Sequence, residues 1–359
     1  MNVPLLLHSL AVAAAATLVA NTGGALAALA AAASTRRRRR FALVAAVLAL
    51  AMPPFLAAAT WMEWLGFAGA WRLRLAPGWE PVLPFMATAW VTALLLWPVP
   101  FLFTLGALDR LDAAQLEADP AVRGMALVRG VLWPRVRPAL GPAAAVTFVL
   151  ALGQFAVPAL FQAKVYAAEI WVRFNTTFDT AGALAQGWPL MLGPALLLAW
   201  LSRGPVALPF GRGAAGRGAL RAQLGRGMHG TAWAVLLVLV ALSVGVPLGG
   251  MLAAPRTWTE LPGAWAAGQG AAARSLLTAG AGAVLVTAAG IFLSRWRWPA
   301  ATWLPFFLPG VFLGLALIHL LNRPGLGAVY GGPAVVVLAL ALRYAALGWA
   351  GARAARGLA

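Results

Sequence analysis

The chain is dominated by long apolar runs that carry almost no charge. Nine can be marked, at 4–34, 41–60, 82–108, 139–161, 183–202, 231–254, 275–294, 298–321 and 333–352. A helix needs about 20 apolar residues to cross the hydrocarbon of a bilayer, so each run is a candidate span. The first is long enough to include an interfacial part, and the fifth is the weakest. The runs are continuous, whereas a membrane barrel would be built from alternating segments of about ten residues. Composition agrees: 62% of residues are hydrophobic and 10% charged, against about 25% charged in a soluble domain. The expected fold is an all-α integral membrane protein of about nine transmembrane helices.

A net charge of +18 could suggest nucleic acid as a partner. Its distribution argues for a membrane instead. With the N-terminus outside and the spans alternating, the inner loops hold Arg36–Arg40, Arg110, Arg123, Arg129, Arg135, Arg137, Arg203, Arg212, Arg217, Arg221, Arg226, Arg295, Arg297, Arg353 and Arg356. These are 19 of the 27 basic residues; seven fall in outer loops, and Arg343 lies within a span. That asymmetry is the positive-inside rule. It places the C-terminus in the cytoplasm and the chain in a plasma or inner membrane, with lipid as a partner and no nucleic acid.

Met1 to Ala33 lacks the basic n-region of a signal peptide, and its apolar part is too long for one. The arginine block after it anchors a first span. The chain has no cysteine, which excludes disulfides and thiolate metal sites.

A weak internal repeat is legible. "HSLAVAAAATLVA" (8–20) resembles "RSLLTAGAGAVLV" (274–286), "LAMPPFLAAA" (50–59) resembles "FFLPGVFLGLAL" (306–317), and "FTLGALDRLDAA" (103–114) falls where "LGWAGARAARGLA" (347–359) falls. Duplicated helical modules are common in transporters, although Ala/Leu-rich spans also resemble one another by composition alone. The expected organisation is a first half over 1–202, a basic linker over 203–230 and a second half over 231–359. The linker's Gly and Arg content suits a flexible loop on anionic headgroups.

The polar stretch 105–138 stands apart, holding four of the nine acids, Asp109, Asp112, Glu117 and Asp119. "DRLDAAQLEA" can form a short helix that Asp119-Pro120 breaks, "AVRGMALVRGVLW" follows, and Pro134 and Pro138 mark the start of the next span. This stretch resembles the cytoplasmic coupling loop of permeases of ATP-binding-cassette (ABC) importers, with "LEAD" or "LDAA" standing for Glu-Ala-Ala and "VLWPRVRP" for the Ile-x-Leu-Pro end. The spacing departs from the pattern. From Glu117 to Pro134 is 17 positions where the pattern needs 19, and Gly124 falls one place late. The flanks "GPAAAVTFVLALGQFAVPALF", "EIWVRF" and "GALAQGWPL" are similar to tandem-repeat permeases of the iron(III)/thiamine kind, as is "LALIHLLNRPGLGAVYGGPAVVVLALALRYAAL".

The resemblance implies two repeated halves of a type I importer permease and alternating access. It also implies two partners, an ATP-binding subunit dimer and a periplasmic or extracellular substrate-binding protein. Glu117, Ala118, Asp119, Gly124 and Pro134 would couple to the ATPase, with Ala121, Val122 and Met125 entering a groove on it. Ferric iron is the first substrate expected, with thiamine, polyamine and phosphonate behind it. Such permeases present two coupling loops, and the second half reaches residue 359 where its own loop would begin. The expectation is therefore a shortened or split tandem permease, completed by a further segment.

No cofactor and no catalysis are expected of this chain. A P-loop needs Gly-Lys-Ser/Thr, but the single lysine, Lys164, sits between Ala163 and Val165. His8, His229 and His319 lack ligand spacing, and Glu63, Glu80 and Glu260 are too dispersed for a membrane enzyme's site. An ion-coupled secondary transporter, the main alternative, would need acids inside the spans, and none lies there. Gln154 and Arg343 are candidates for the pathway, Arg343 also for a structural pair. Glu169, Arg173, Asn175 and Asp179 either dock the binding protein or cap helices. Trp61, Trp64, Trp71, Trp79, Trp258, Trp265, Trp296 and Trp298, near span ends, read as an aromatic belt.

Overall fold

In the computed structural model, residues 2–66, 69, 82–111, 116, 121–201, 217–295 and 299–357 are described. Every regular element among them is helical. In order these are α1 (Val3–Ala32), α2 (Arg36–Ala51), α3 (Pro54–Leu65), α4 (Leu83–Leu96), α5 (Pro98–Leu108), α6 (Met125–Leu152), α7 (Ala156–Leu160), α8 (Tyr166–Thr177), α9 (Thr180–Leu201), α10 (Gly218–Ala253), α11 (Pro255–Leu293), α12 (Pro299–Phe307), α13 (Gly310–Leu321) and α14 (Pro333–Ala355). A single turn, Gly327–Tyr330, lies between the last two.

Six of these helices, α1, α6, α9, α10, α11 and α14, are long and apolar enough to cross a membrane; counting each bent pair as one span gives eight. The eighth run, 298–321, is broken instead. Leu308-Pro309 separates α12 from α13, because Pro309 has no N–H to continue the ladder and sits extended as the N-cap of α13. Proline also makes the two bends. Pro53 and Pro54 turn α2 into α3 by 88°, and Pro98 turns α4 into α5 by 41°.

Proline does not always break the helix, and the expected start of the fourth span at residue 139 is corrected by this. The helix begins at Met125 and runs through Pro134, Pro138 and Pro142. A π-helical turn, Val128–Leu132, directly precedes Pro134 and widens the ladder where the ring would meet the carbonyl four residues back. The seventh run is longer than expected too. α11 starts at Pro255, and its 39 residues make a rod of about 58 Å.

Several hydroxyls within the apolar helices bond to their own backbone, whereas those of Thr88, Thr92 and Thr104 do not. Ser9, Thr17 and Thr22 donate to the carbonyls of Leu5, Ala13 and Leu18 at 2.8, 2.7 and 2.8 Å. Such back-bonding removes the cost of a bare hydroxyl in an apolar medium.

The helices gather into two compact units. One comprises 4–164 and 205–251, the other 1–3, 165–204 and 252–359. These spatial boundaries differ from the sequence halves 1–202 and 231–359, and leave the repeat itself open. In the first unit Trp97 is fully buried, edge-on to Phe101, and donates through Nε1 to Ser243 Oγ at 3.2 Å. Gly24 of α1 lies against this corner, where an added Cβ would be 2.4 Å from the Trp97 carbonyl oxygen. In the second unit α11 packs along α14 through Gly290 and Gly348. A Cβ on Gly348 would meet the Val286 carbonyl oxygen at 2.3 Å, so the two backbones touch as only small residues permit.

Candidate functional site

The polar stretch is anchored at both sides within the first unit. Arg39, in the first turn of α2, forms a two-pronged ion pair with Asp109 at the end of α5. Its Nη1 donates to Oδ1 at 2.6 Å and its Nη2 to Oδ2. The paired side chains are 14% and 6% exposed, so the bond is sheltered and charge-assisted on both arms. Asp109 is thus a structural partner of the arginine block.

The second anchor involves a residue that the sequence did not single out. The Gln223 side chain donates from Nε2 to the Leu116 carbonyl. Its own backbone carbonyl accepts the Gly124 N–H at 2.8 Å. Gly124 has φ 59 and ψ −128, a conformation open to glycine and strained for any residue with a Cβ. That geometry lets Gly124 face Gln223 with its N–H while its carbonyl accepts from Val128 at 3.1 Å to start α6. Leu116, Leu127, Leu132, Leu220 and Leu224 are buried on the two segments that meet here.

Residues 217–224 are therefore helical and packed, which corrects the reading of 203–230 as a flexible loop over this portion. Residues 202–216 lie outside the described residues. The helix stops at Gly225, whose φ of 78 kinks the chain before it rises into the apolar part of α10. Leu220 and Leu224, four apart with Gln223 beside them, were the legible signal.

Beyond Gly124 the start of α6 presents an outward surface. Met125 and Trp133 are each 54% exposed, and Arg129 and Arg137, at the same spacing of four, are exposed as well. Ala126, Gly130 and Pro134 are exposed beside them, so the surface mixes large apolar, cationic and very small side chains. A partner can come close to the backbone there.

The other expected site residues separate. Glu117, Ala118 and Asp119 lie outside the described residues, as do Asp112, Glu80, Trp71, Trp79, Trp296 and Trp298. Gln154 accepts the Ala156 N–H at 3.4 Å through Oε1, a cap for α7. Glu169 is exposed in the first turn of α8. Arg173 donates to Gln186 Oε1 at 2.9 Å, and Asp179 accepts the Gly182 N–H at 2.9 Å at the start of α9. Arg343 donates to the Leu308 carbonyl at 3.0 Å, at the break between α12 and α13. Trp61 is 3% exposed and donates to the Leu242 carbonyl at 3.3 Å, so it belongs to the core and not to a belt. Trp64, Trp258 and Trp265 are exposed.

A small, mostly apolar cavity of about 20 Å³ is lined by Met62, Leu83, Leu160 and Phe161. No group of three or more His, Asp or Glu that could hold a metal ion occurs among the described residues. No protein-family model, curated protein or solved structure matches the chain.

Proposed function

We propose that this chain is the membrane-spanning permease subunit of an ABC importer. The observation that carries the proposal is the Gln223 latch. A polar stretch at the end of an apolar helical array is held by a bidentate ion pair on one side and two hydrogen bonds on the other. A loop that only joins two spans needs no such anchoring, whereas a loop that passes force between a soluble motor and membrane helices does.

In this reading the exposed surface from Met125 to Arg137 faces an ATP-binding subunit. Met125 and Trp133 supply apolar contact, and Gly130 and Ala126 allow close approach. The resemblance in the sequence gives Glu117, Ala118 and Asp119 the same coupling role. Movement at the loop passes directly into α6, which Gly124 precedes as its N-cap, and through Gln223 into α10. Each is a long apolar helix.

A separate binding protein delivers the substrate. Ferric iron comes first, ahead of thiamine, polyamine or phosphonate, and the permease needs no metal site of its own for a cargo that it only passes through. Orientation follows the arginine distribution, with the latch in the cytoplasm. An ion-coupled secondary transporter remains the alternative, and the absence of acids from the nine apolar runs of the sequence weighs against it.

The test is transport in vesicles that contain this chain, its genomically neighbouring P-loop ATPase and the binding protein. ATP-dependent uptake that vanishes with a hydrolysis-deficient ATPase supports the proposal. Uptake driven by an ion gradient without ATP contradicts it.

A further inference from the structure

At the arginine-rich end of the first unit, α2 and the foot of α10 meet in a built interface. Trp233 Nε1 donates to Ser34 Oγ at 3.0 Å, and Phe41 stacks on the Trp233 ring at 6.4 Å between centroids. Beyond this aromatic pair stand exposed arginines from both elements: Arg36, Arg37, Arg38 and Arg40 on one, Arg221 and Arg226 on the other. Arg39 alone of the block is committed to Asp109. The first unit's described residues hold one further acid, Glu63.

A buried group sits within this cationic cluster. His229 is 8% exposed, and both its ring nitrogens lack a hydrogen-bond partner among the described residues. Arg221 and Arg38, one from each element, are the charged groups that act on it. An imidazole N–H buried without an acceptor is costly.

The surface on the other side of the aromatic pair is apolar. Val44, Val47 and Leu48 of α2 are 58%, 60% and 50% exposed, and Leu237 and Val238 of α10 are 49% and 55% exposed. Along α2 the order Arg37, Arg40/Phe41, Val44, Leu48 follows one helix face. That face carries charge at one end, an aromatic ring at the level of an interface and aliphatic side chains beyond it.

The geometry points to a binding site for an anionic phospholipid at the junction of α2 and α10, its phosphate between Arg38 and Arg221 and its acyl chains along Val44, Leu48 and Leu237. A phosphate there would offset the positive charge that Arg38 and Arg221 place around the buried His229. A nucleic acid would match the arginines but not the aliphatic strip beneath them, and inorganic phosphate would use the arginines alone. The site does not rest on the importer reading.

Native mass spectrometry of the purified full chain in detergent tests it, with phosphatidylglycerol, phosphatidylcholine or inorganic phosphate added in separate arms. Phosphatidylglycerol is expected to stay bound through gas-phase release of the detergent, phosphatidylcholine is not, and inorganic phosphate does not displace the lipid. Arg38→Gln and Arg221→Gln should each weaken retention about fivefold. Arg274→Gln, on exposed α11, should leave it unchanged. Both substituted residues are exposed, so folding is expected to survive. A photoactivatable phosphatidylglycerol on the unaltered chain supplies a second readout, with labelling expected in 36–48 and 221–238. Equal retention of phosphatidylcholine, unchanged retention in both Arg38→Gln and Arg221→Gln, displacement by phosphate, or labelling confined to other helices would each overturn the assignment. So would a nuclease-sensitive polymer bound at these arginines in place of lipid.

Discussion

The backbone N–H of Gly124 points at the carbonyl of Gln223, 2.8 Å away, and that bond joins the start of α6 to the foot of α10. The Gln223 side chain extends the junction to Leu116. One residue thus holds two points of the polar stretch.

Gln223→Ala should loosen the stretch without unfolding the array. The Leu116 carbonyl would lose its donor at a buried position, a cost of about 1–3 kcal/mol. The expected result is faster limited proteolysis between residues 109 and 124 and a modest drop in apparent Tm. Unchanged cleavage would show that the amide contributes nothing to holding the loop.

Gly124→Val attacks the same junction through the backbone. No atom lies within 4 Å of the position that a Cβ would occupy, so space is not the obstacle. The obstacle is φ 59 with ψ −128, which costs a β-branched residue about 1–3 kcal/mol. Gly124→Ala should be milder than Gly124→Val, and the ranking by thermal unfolding in detergent checks the conformational cause against a steric one.

Asp109→Asn leaves Arg39 without its counter-charge in a sheltered site. Breaking one side of such a pair costs roughly 3–5 kcal/mol. The exchange Arg39→Asp with Asp109→Arg should recover part of that loss, read as a double-mutant cycle on apparent Tm. Additive losses would deny the pair.

Gly348→Leu should separate α11 from α14. The new side chain would start within 2.3 Å of the Val286 carbonyl oxygen, a contact that no rotamer relieves. Disulfide trapping between Cys residues placed at 282 and 340, where a β-carbon on Gly282 would lie 3.3 Å from that of Leu340, should be efficient in the parent and lost in the variant. Gly351→Leu, where nothing lies within 4 Å, serves as the tolerated control.

Arg343→Leu should weaken the α12–α13 break. The guanidinium answers the Leu308 carbonyl, and interhelical hydrogen bonds in membranes are worth about 0.6 kcal/mol on average. A small fall in Tm with normal insertion is expected. Loss of transport at unchanged stability would instead give Arg343 the pathway role that the sequence left open.

The apolar helices were legible because a run of twenty apolar residues has few alternatives in water or lipid. What happens at prolines was less so. A Pro-Pro pair at 53–54 and a Pro at 309 break the chain, while Pro134, Pro138 and Pro142 do not. At Pro134 the difference lies in the π-turn at Val128–Leu132, a backbone adjustment with no residue signature. The latch was hidden for a similar reason. Gln223 is an ordinary glutamine in a Gly/Arg-rich segment, and its value comes from Leu220 and Leu224 turning one face of 217–224 inward. Trp61 misled by position: it lies at the end of a run, yet the 88° bend between α2 and α3 folds it into the core.

The central claim is that the surface from Met125 to Arg137 meets an ATP-hydrolysing subunit. The chain contains no cysteine, so Met125→Cys is a unique attachment point for a short photoactivatable cross-linker in native membranes. The account predicts one dominant protein adduct whose sequence contains a Gly-Lys-Ser/Thr P-loop, with Trp133→Cys giving the same partner and Leu277→Cys, far along α11, giving none. Adducts only to lipid, or to a protein without a P-loop, from both Met125→Cys and Trp133→Cys would contradict it.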